Sequence, residues 1–171
     1  MDNVLVCPAS GPLAAKHLRD TIESGKQLDS ILSHIPLDFQ HMFDQTYKER
    51  LAWVWGMRAG IKNRWEQLDT DDVVVFYQQG IFRLECAVTY KLHSVELSDF
   101  LWQRSPSNEP FEYIFFVTRP HPINLSIQDF NELISVSPAA RVLGTNLYTG
   151  LKADRILNRL ATLSGIAVES E

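Results

Sequence analysis

The sequence predicts a single α+β domain in which a curled, mixed β-barrel of about five to six strands is surrounded by helices. Runs rich in β-branched and aromatic residues carry this reading: LAWVWGM at 51–57, DVVVFYQ at 72–78 and FEYIFFV from Phe111. Several such runs are neighbours in the chain, which favours antiparallel pairing, and apolar residues recur at helical spacing around them. A length of 171 residues, with 45% hydrophobic and 22% charged side chains, suits one core.

The elements follow in order. Asn3 to Cys7 reads as a short buried strand ended by Pro8, and Ser10 as the cap of a helix that runs to about Glu23 and stops at Gly25. Ile31, Leu32, Ile35, Phe39, Met42 and Phe43, interrupted by Pro36, fit two short packing helices. After the strand Leu51 to Met57, Trp65 lies in a charged helical stretch beside Leu68. Asp72 to Gln78, bounded by turn residues, is the next strand, and Phe82 to His93 its hairpin partner. A short helix from Glu96 to Trp102, the loop QRSPSNEP, the strand from Phe111, an edge strand His121 to Leu125 and a capped helix Ser126 to Ile134 complete the middle. Last comes an amphipathic helix from Gly150 to Leu163, with Ile156, Leu157, Leu160 and Leu163 opposite Lys152, Arg155 and Arg159. Residues 1–149 are expected to form the domain; residues 150–171 are expected to be a C-terminal helix and a tail, SGIAVESE, that pack on it or lead out of it toward an effector.

Several functions are excluded by what the chain lacks. It has no GxGxxG, GxxxxGK[ST], GxSxG or HExxH, and its five histidines are scattered rather than spaced as ligands or triads. Cys7 and Cys86 read as buried thiols. No enzyme activity, metal or cofactor is expected. No apolar run approaches the roughly 20 residues that span a bilayer, and the N-terminus lacks the pattern of a signal peptide, so a cytoplasmic location and no membrane partner are expected. A net charge of −5 argues against holding nucleic acid by phosphate contacts alone; a nucleic-acid site must be a local basic patch beside a specific pocket.

Aromatic placement suggests where that pocket would be. Trp53 and Trp55 alternate onto one face of a strand, and Trp55 directly precedes Gly56, where the backbone can be approached closely. Trp53 and Trp65 read as core. Trp55 and Trp102, at the ends of elements, read as pocket walls, and Arg58, Lys62 and Arg64 as a phosphate-contacting rim.

The order VWG-x(6)-NRW, DVVVFY, YKLHSVELSDFLW and FEYIFFV resembles the EVE and YTH families of the PUA-like superfamily. It is most similar to the N-terminal modules of McrBC-type methyl-directed restriction endonucleases, and the resemblance spans the first strand to about Leu133. The resemblance implies a PUA-like fold and a non-catalytic reader that flips a methylated base into an aromatic cage. It further implies base-binding roles for Trp55, Gly56, Asn63, Trp102, Phe111 and Tyr113. Asp71 stands where such sequences have the glycine of a GD turn, and Phe111 where they have tryptophan. The expected partner is modified DNA ahead of RNA, with a fused or associated nuclease or GTPase subunit. A PUA-like RNA reader and a structural or protein-interaction domain are the alternatives.

Overall fold

A computed structural model describes residues 2–142 and 144–163. Strand β1 (Val4–Pro8) is buried on both faces: Leu5 and Cys7 enter one apolar core, Val4 and Val6 another. This explains its uninterrupted apolar sequence. Helix α1 (Pro12–His17) continues into a π-helical segment, Leu18–Glu23, in which Ser24 N–H donates to the carbonyl of Arg19. Ser10 does not cap α1; its hydroxyl instead accepts from the amide of Gln79. Gly25 follows with φ +69, and an added Cβ there would lie 3.0 Å from Trp53 Nε1.

Strand β2 (Lys26–Gln27), helix α2 (Leu28–Ile31) and helix α3 (Leu37–Thr46) lead to β3 (Leu51–Met57). Helix α4 (Lys62–Gln67), strands β4 (Val73–Gln78) and β5 (Ile81–His93), and helix α5 (Val95–Leu101) come next. Asp71, at the position of the expected glycine, takes φ 74, so the turn keeps its left-handed geometry without one. Strands β6 (Tyr113–Val117) and β7 (His121–Ser126), helix α6 (Ile127–Leu133), strand β8 (Asn146–Tyr148) and helix α7 (Gly150–Leu163) complete the fold. Ser94 and Ser126 cap α5 and α6 by accepting from the amides of Leu97 and Asp129.

Among the described residues the sheet has eight strands and is open, which corrects the expected barrel of five to six. Its order is β2-β3-β6-β5-β4-β1-β8, with β7 paired to β5. The 13-residue β5 organises it. Strands β6 and β7 run end to end antiparallel to β5, β6 beside Val88–His93 and β7 beside Ile81–Glu85. The chain breaks between them at Thr118–Pro120, and the register of β5 shifts between Val88 and Tyr90. From there β6 turns away to take β3 as its other neighbour, which curls the sheet around the larger core without closing it. The second core lies on the outer face, where Ala153, Ile156 and Leu160 of α7 meet Phe82, Leu125 and Phe130. The tail SGIAVESE lies outside the described residues.

Candidate functional site

The geometry around β3 decides how its aromatic residues can be used. Trp53 to Met57 pair regularly with Val117 to Tyr113, so side chains alternate strictly between faces. Trp55 enters the large core, where its ring meets Phe76 edge-on at 5.1 Å. Gly56 points the other way. A Cβ built there would lie 2.5 Å from the carbonyl oxygen of Phe111 and 2.6 Å from Cζ3 of Trp102. The ring of Trp102 therefore covers β3 on the face opposite the one that Trp55 leaves, and the two rings do not face each other across a slot. The group that uses the missing side chain of Gly56 is Trp102 itself.

Hydrogen bonds fix Trp102 in this position. Its Nε1 donates to Thr21 Oγ1 at 3.3 Å, and that hydroxyl donates to the carbonyl of Val54 at 2.6 Å, so the π-helical segment, β3 and the end of α5 share one link. The Phe111 amide donates to Ser98 Oγ at 2.8 Å. His17 completes the cluster, with its ring 5.8 Å from Trp102 and 4.8 Å, edge-on, from Phe111. Burial, with a smaller contribution from Lys16, lowers the His17 pKa to about 4, so the imidazole is neutral at pH 7. No motif marks His17 in the sequence. The available signal is the spacing of Leu13, His17 and Thr21, four residues apart on one helical face.

Beside this cluster lies a cavity of about 620 Å³ between α1 and the loop after α5, lined by Pro12, Leu13, Lys16, Gln103, Arg104, Ser105 and Pro106. Lys16 pairs with Asp20 at 2.6 Å and Arg104 with Asp99 at 2.8 Å. Arg58 reaches the same loop through Glu109 at 3.4 Å.

The remaining candidates sit elsewhere. Tyr113 stacks on His93 at 4.6 Å, meets Trp65 edge-on, and has Lys62 Nζ 5.8 Å from its ring. Trp65 ties α4 to β6 by donating to the carbonyl of Ile114 at 2.9 Å. Asn63 and Arg64 are exposed and line a shallow polar recess with Gln67, Asn146 and Leu147. Lys62 pairs with Glu66 at 3.3 Å. Of the six expected base-binding residues, Gly56, Trp102 and Phe111 are gathered at one place; Trp55, Asn63 and Tyr113 lie in three others.

No family model and no curated protein matches this sequence. Among solved structures, the N-terminal domain of Thermococcus gammatolerans McrB bound to m5C DNA superposes with a TM-score of 0.68, covering 94% of this chain and 98% of that one at 13% identity. The two chains share a fold. At that identity the likeness extends to architecture alone. Among the described residues, no His, Cys, Asp or Glu side chains cluster as a metal site, and no helix is long and apolar enough to cross a membrane. Cys7 and Cys86 are buried free thiols, and burial raises the pKa of both.

Proposed function

We propose that this chain is a non-catalytic reader of a modified base in DNA, in which a base flipped from the duplex enters the cavity between α1 and the loop after α5 and is held against Trp102. The observation that carries the reading is the cavity itself, two of whose lining residues, Lys16 and Gln103, are the chain neighbours of His17 and Trp102 in the buried aromatic cluster. The shared architecture with a domain solved on m5C DNA supports it.

Physical chemistry is consistent with that use. A flipped base loses stacking and pairing worth a few kcal/mol, and an aromatic face returns roughly 1–3 kcal/mol per base. In this proposal Trp102 provides the face, Gly56 permits its close seat on β3, and Phe111 backs it. Trp55 supports the wall from the core side, while Asn63 and Tyr113 flank the duplex or the neighbouring nucleotides. Arg58, Lys62 and Arg64 hold phosphates, joined by Lys16 and Arg104 at the mouth. Four of these five cations carry acidic partners within 3.4 Å, so phosphate contact would exchange one ion pair for another and is expected to be weak without the base. Cleavage or motor activity belongs in this proposal to a fused or associated nuclease or GTPase subunit.

The test is a titration of duplexes carrying one modified base against unmodified twins, with single-stranded RNA carrying the same base as a further arm. Tighter binding to a modified duplex is expected. Equal affinity for every cytosine and adenine modification tried would remove the reading, and preference for the RNA arm would move it to RNA. Changing Lys62 and Arg64 to Ala should weaken modified and unmodified DNA alike and flatten the salt dependence.

A further inference from the structure

Two further cavities, of about 290 and 280 Å³, are each lined by Trp53 and Arg119 and share no lining residue with the cavity between α1 and the loop after α5. Tyr47, Lys48 and Thr118 also line the first, and Arg83, Leu84 and Pro122 the second. The Trp53 ring is a fixed floor. Its backbone pairs with Val117 between β3 and β6, and Tyr47, whose ring lies 6.0 Å away, is tied to the Val117 carbonyl through its hydroxyl at 2.6 Å. The cover is the Arg119 guanidinium, 4.7 Å from the ring. The backbone beside Arg119 is anchored, since the Thr118 amide donates to the Ala87 carbonyl at 2.9 Å and the Ala87 amide to Thr118 Oγ1 at 3.0 Å. Movement is therefore left to the Arg119 side chain. That side chain is 55% exposed and its partner Glu49 78%, so the ion pair between them holds it weakly.

We propose that this end of β3 is a second nucleotide site, in which a base enters between the Trp53 ring and the Arg119 guanidinium and its phosphate is held by Lys48. Bases stack on tryptophan faces and on arginine planes alike. Lifting the guanidinium by about 3.4 Å, the spacing of stacked bases, keeps it over the slot, so that both faces of the base are used. Together the two cavities have the volume of a small-ligand pocket. The charges favour this occupant over a cationic one. A partner's arginine would have to displace Arg119 from both the ring and Glu49, and would make only the contacts that Arg119 already makes. Lys48, by contrast, has no acidic partner among the described residues, and the Thr118 hydroxyl, which accepts from Ala87, keeps a proton to donate to a base edge. Nothing in this site calls for a modification on the base, which sets it apart from the reader cavity.

The test titrates the native chain with dAMP and with a short unmodified single-stranded oligodeoxyadenylate, following the indole N–H resonance of Trp53. That resonance should move with the probes; equal affinities assign the site to free nucleotides, and tighter binding of the strand assigns it to DNA. Arg119→Lys keeps the charge and loses the plane, so it should weaken binding by about fivefold or more, as Arg119→Ala should, because stacking on one face is worth at least that factor. Both variants alter an exposed side chain, and melting curves establish that they fold. An Arg119→Lys chain that binds as tightly as the native one, or an Arg119→Ala chain that binds more tightly, overturns the sandwich. So does a Trp53 resonance that stays still with both probes, or one that moves only with N-acetylarginine amide, the mark of a slot for a cationic side chain. The reader proposal is scored in parallel on modified and unmodified duplexes. A native chain whose Trp53 resonance moves with the unmodified strand but which cannot tell those duplexes apart keeps this site and removes the reader; the reverse outcome removes this site and keeps the reader.

Discussion

The two ends of β3 bury tryptophan to the same degree by different means. Trp53, Trp55 and Trp102 are 6%, 7% and 5% exposed. At the Gly56 end, Trp102 is locked over the backbone by packing and by the Thr21 link. At the Trp53 end the cover is a side chain on the surface. The Arg119 guanidinium lies 4.7 Å from the Trp53 ring and pairs with Glu49 at 2.7 Å, and two cavities of about 290 and 280 Å³ are each lined by both Trp53 and Arg119. Low exposure therefore does not separate a pocket wall from core; what does the covering separates them. At the Gly56 end a base would reach Trp102 only if the loop after α5 moved aside, whereas at the Trp53 end an exposed arginine can swing away.

The largest effect expected is on Trp55. Its replacement by Ala should cost about 3–5 kcal/mol of stability in chemical denaturation, because the ring is enclosed in the main core. A loss below about 1 kcal/mol would show that this end is as loosely covered as the other. Gly56→Ala comes next. The new methyl would overlap a backbone carbonyl and an anchored ring, neither of them a flexible side-chain end, and about 1–3 kcal/mol should be lost even though alanine suits a strand no worse than glycine.

A smaller effect is expected from acid. The folded pKa of His17, about 4, lies below its ordinary 6.5, so between those values the unfolded chain takes up the proton first. The stability from the neutral ring is complete above about pH 6.5 and is lost as pH falls toward 4, at a slope of at most about 1.4 kcal/mol per pH unit. His17→Phe should flatten this slope in melts across that range. A slope that persists unchanged would assign the proton uptake to another group.

The smallest effect belongs to Arg119→Ala. An exposed ion pair and an exposed cation–π contact together contribute on the order of 1 kcal/mol or less, so the melting temperature should barely move while the Trp53 ring becomes accessible to a neutral quencher. A large drop in stability would show that Arg119 is part of the packing, and the contrast between the two ends of β3 would disappear.

Sequence patterning alone determined the long elements. The span of β3 is the one its composition indicates, β4 and β5 follow their turn signals, and α7 carries the apolar stripe of a helix that covers a sheet. Strands β2 and β8, of two and three residues, carry no local signal; they exist because β3 and β1 offer backbone partners. The open sheet has the same origin, since whether a curled sheet closes depends on where its edges end. At the site, the order of residues marked Trp102, Gly56 and Phe111, and nothing but tertiary structure could put Trp102 and Trp55 on opposite faces of one strand. His17 was invisible for the same reason. A lone histidine on a short helix reads as a surface residue until a ring from 85 positions later in the chain folds over it, and which groups share a buried space is a property of the fold, not of neighbours in sequence.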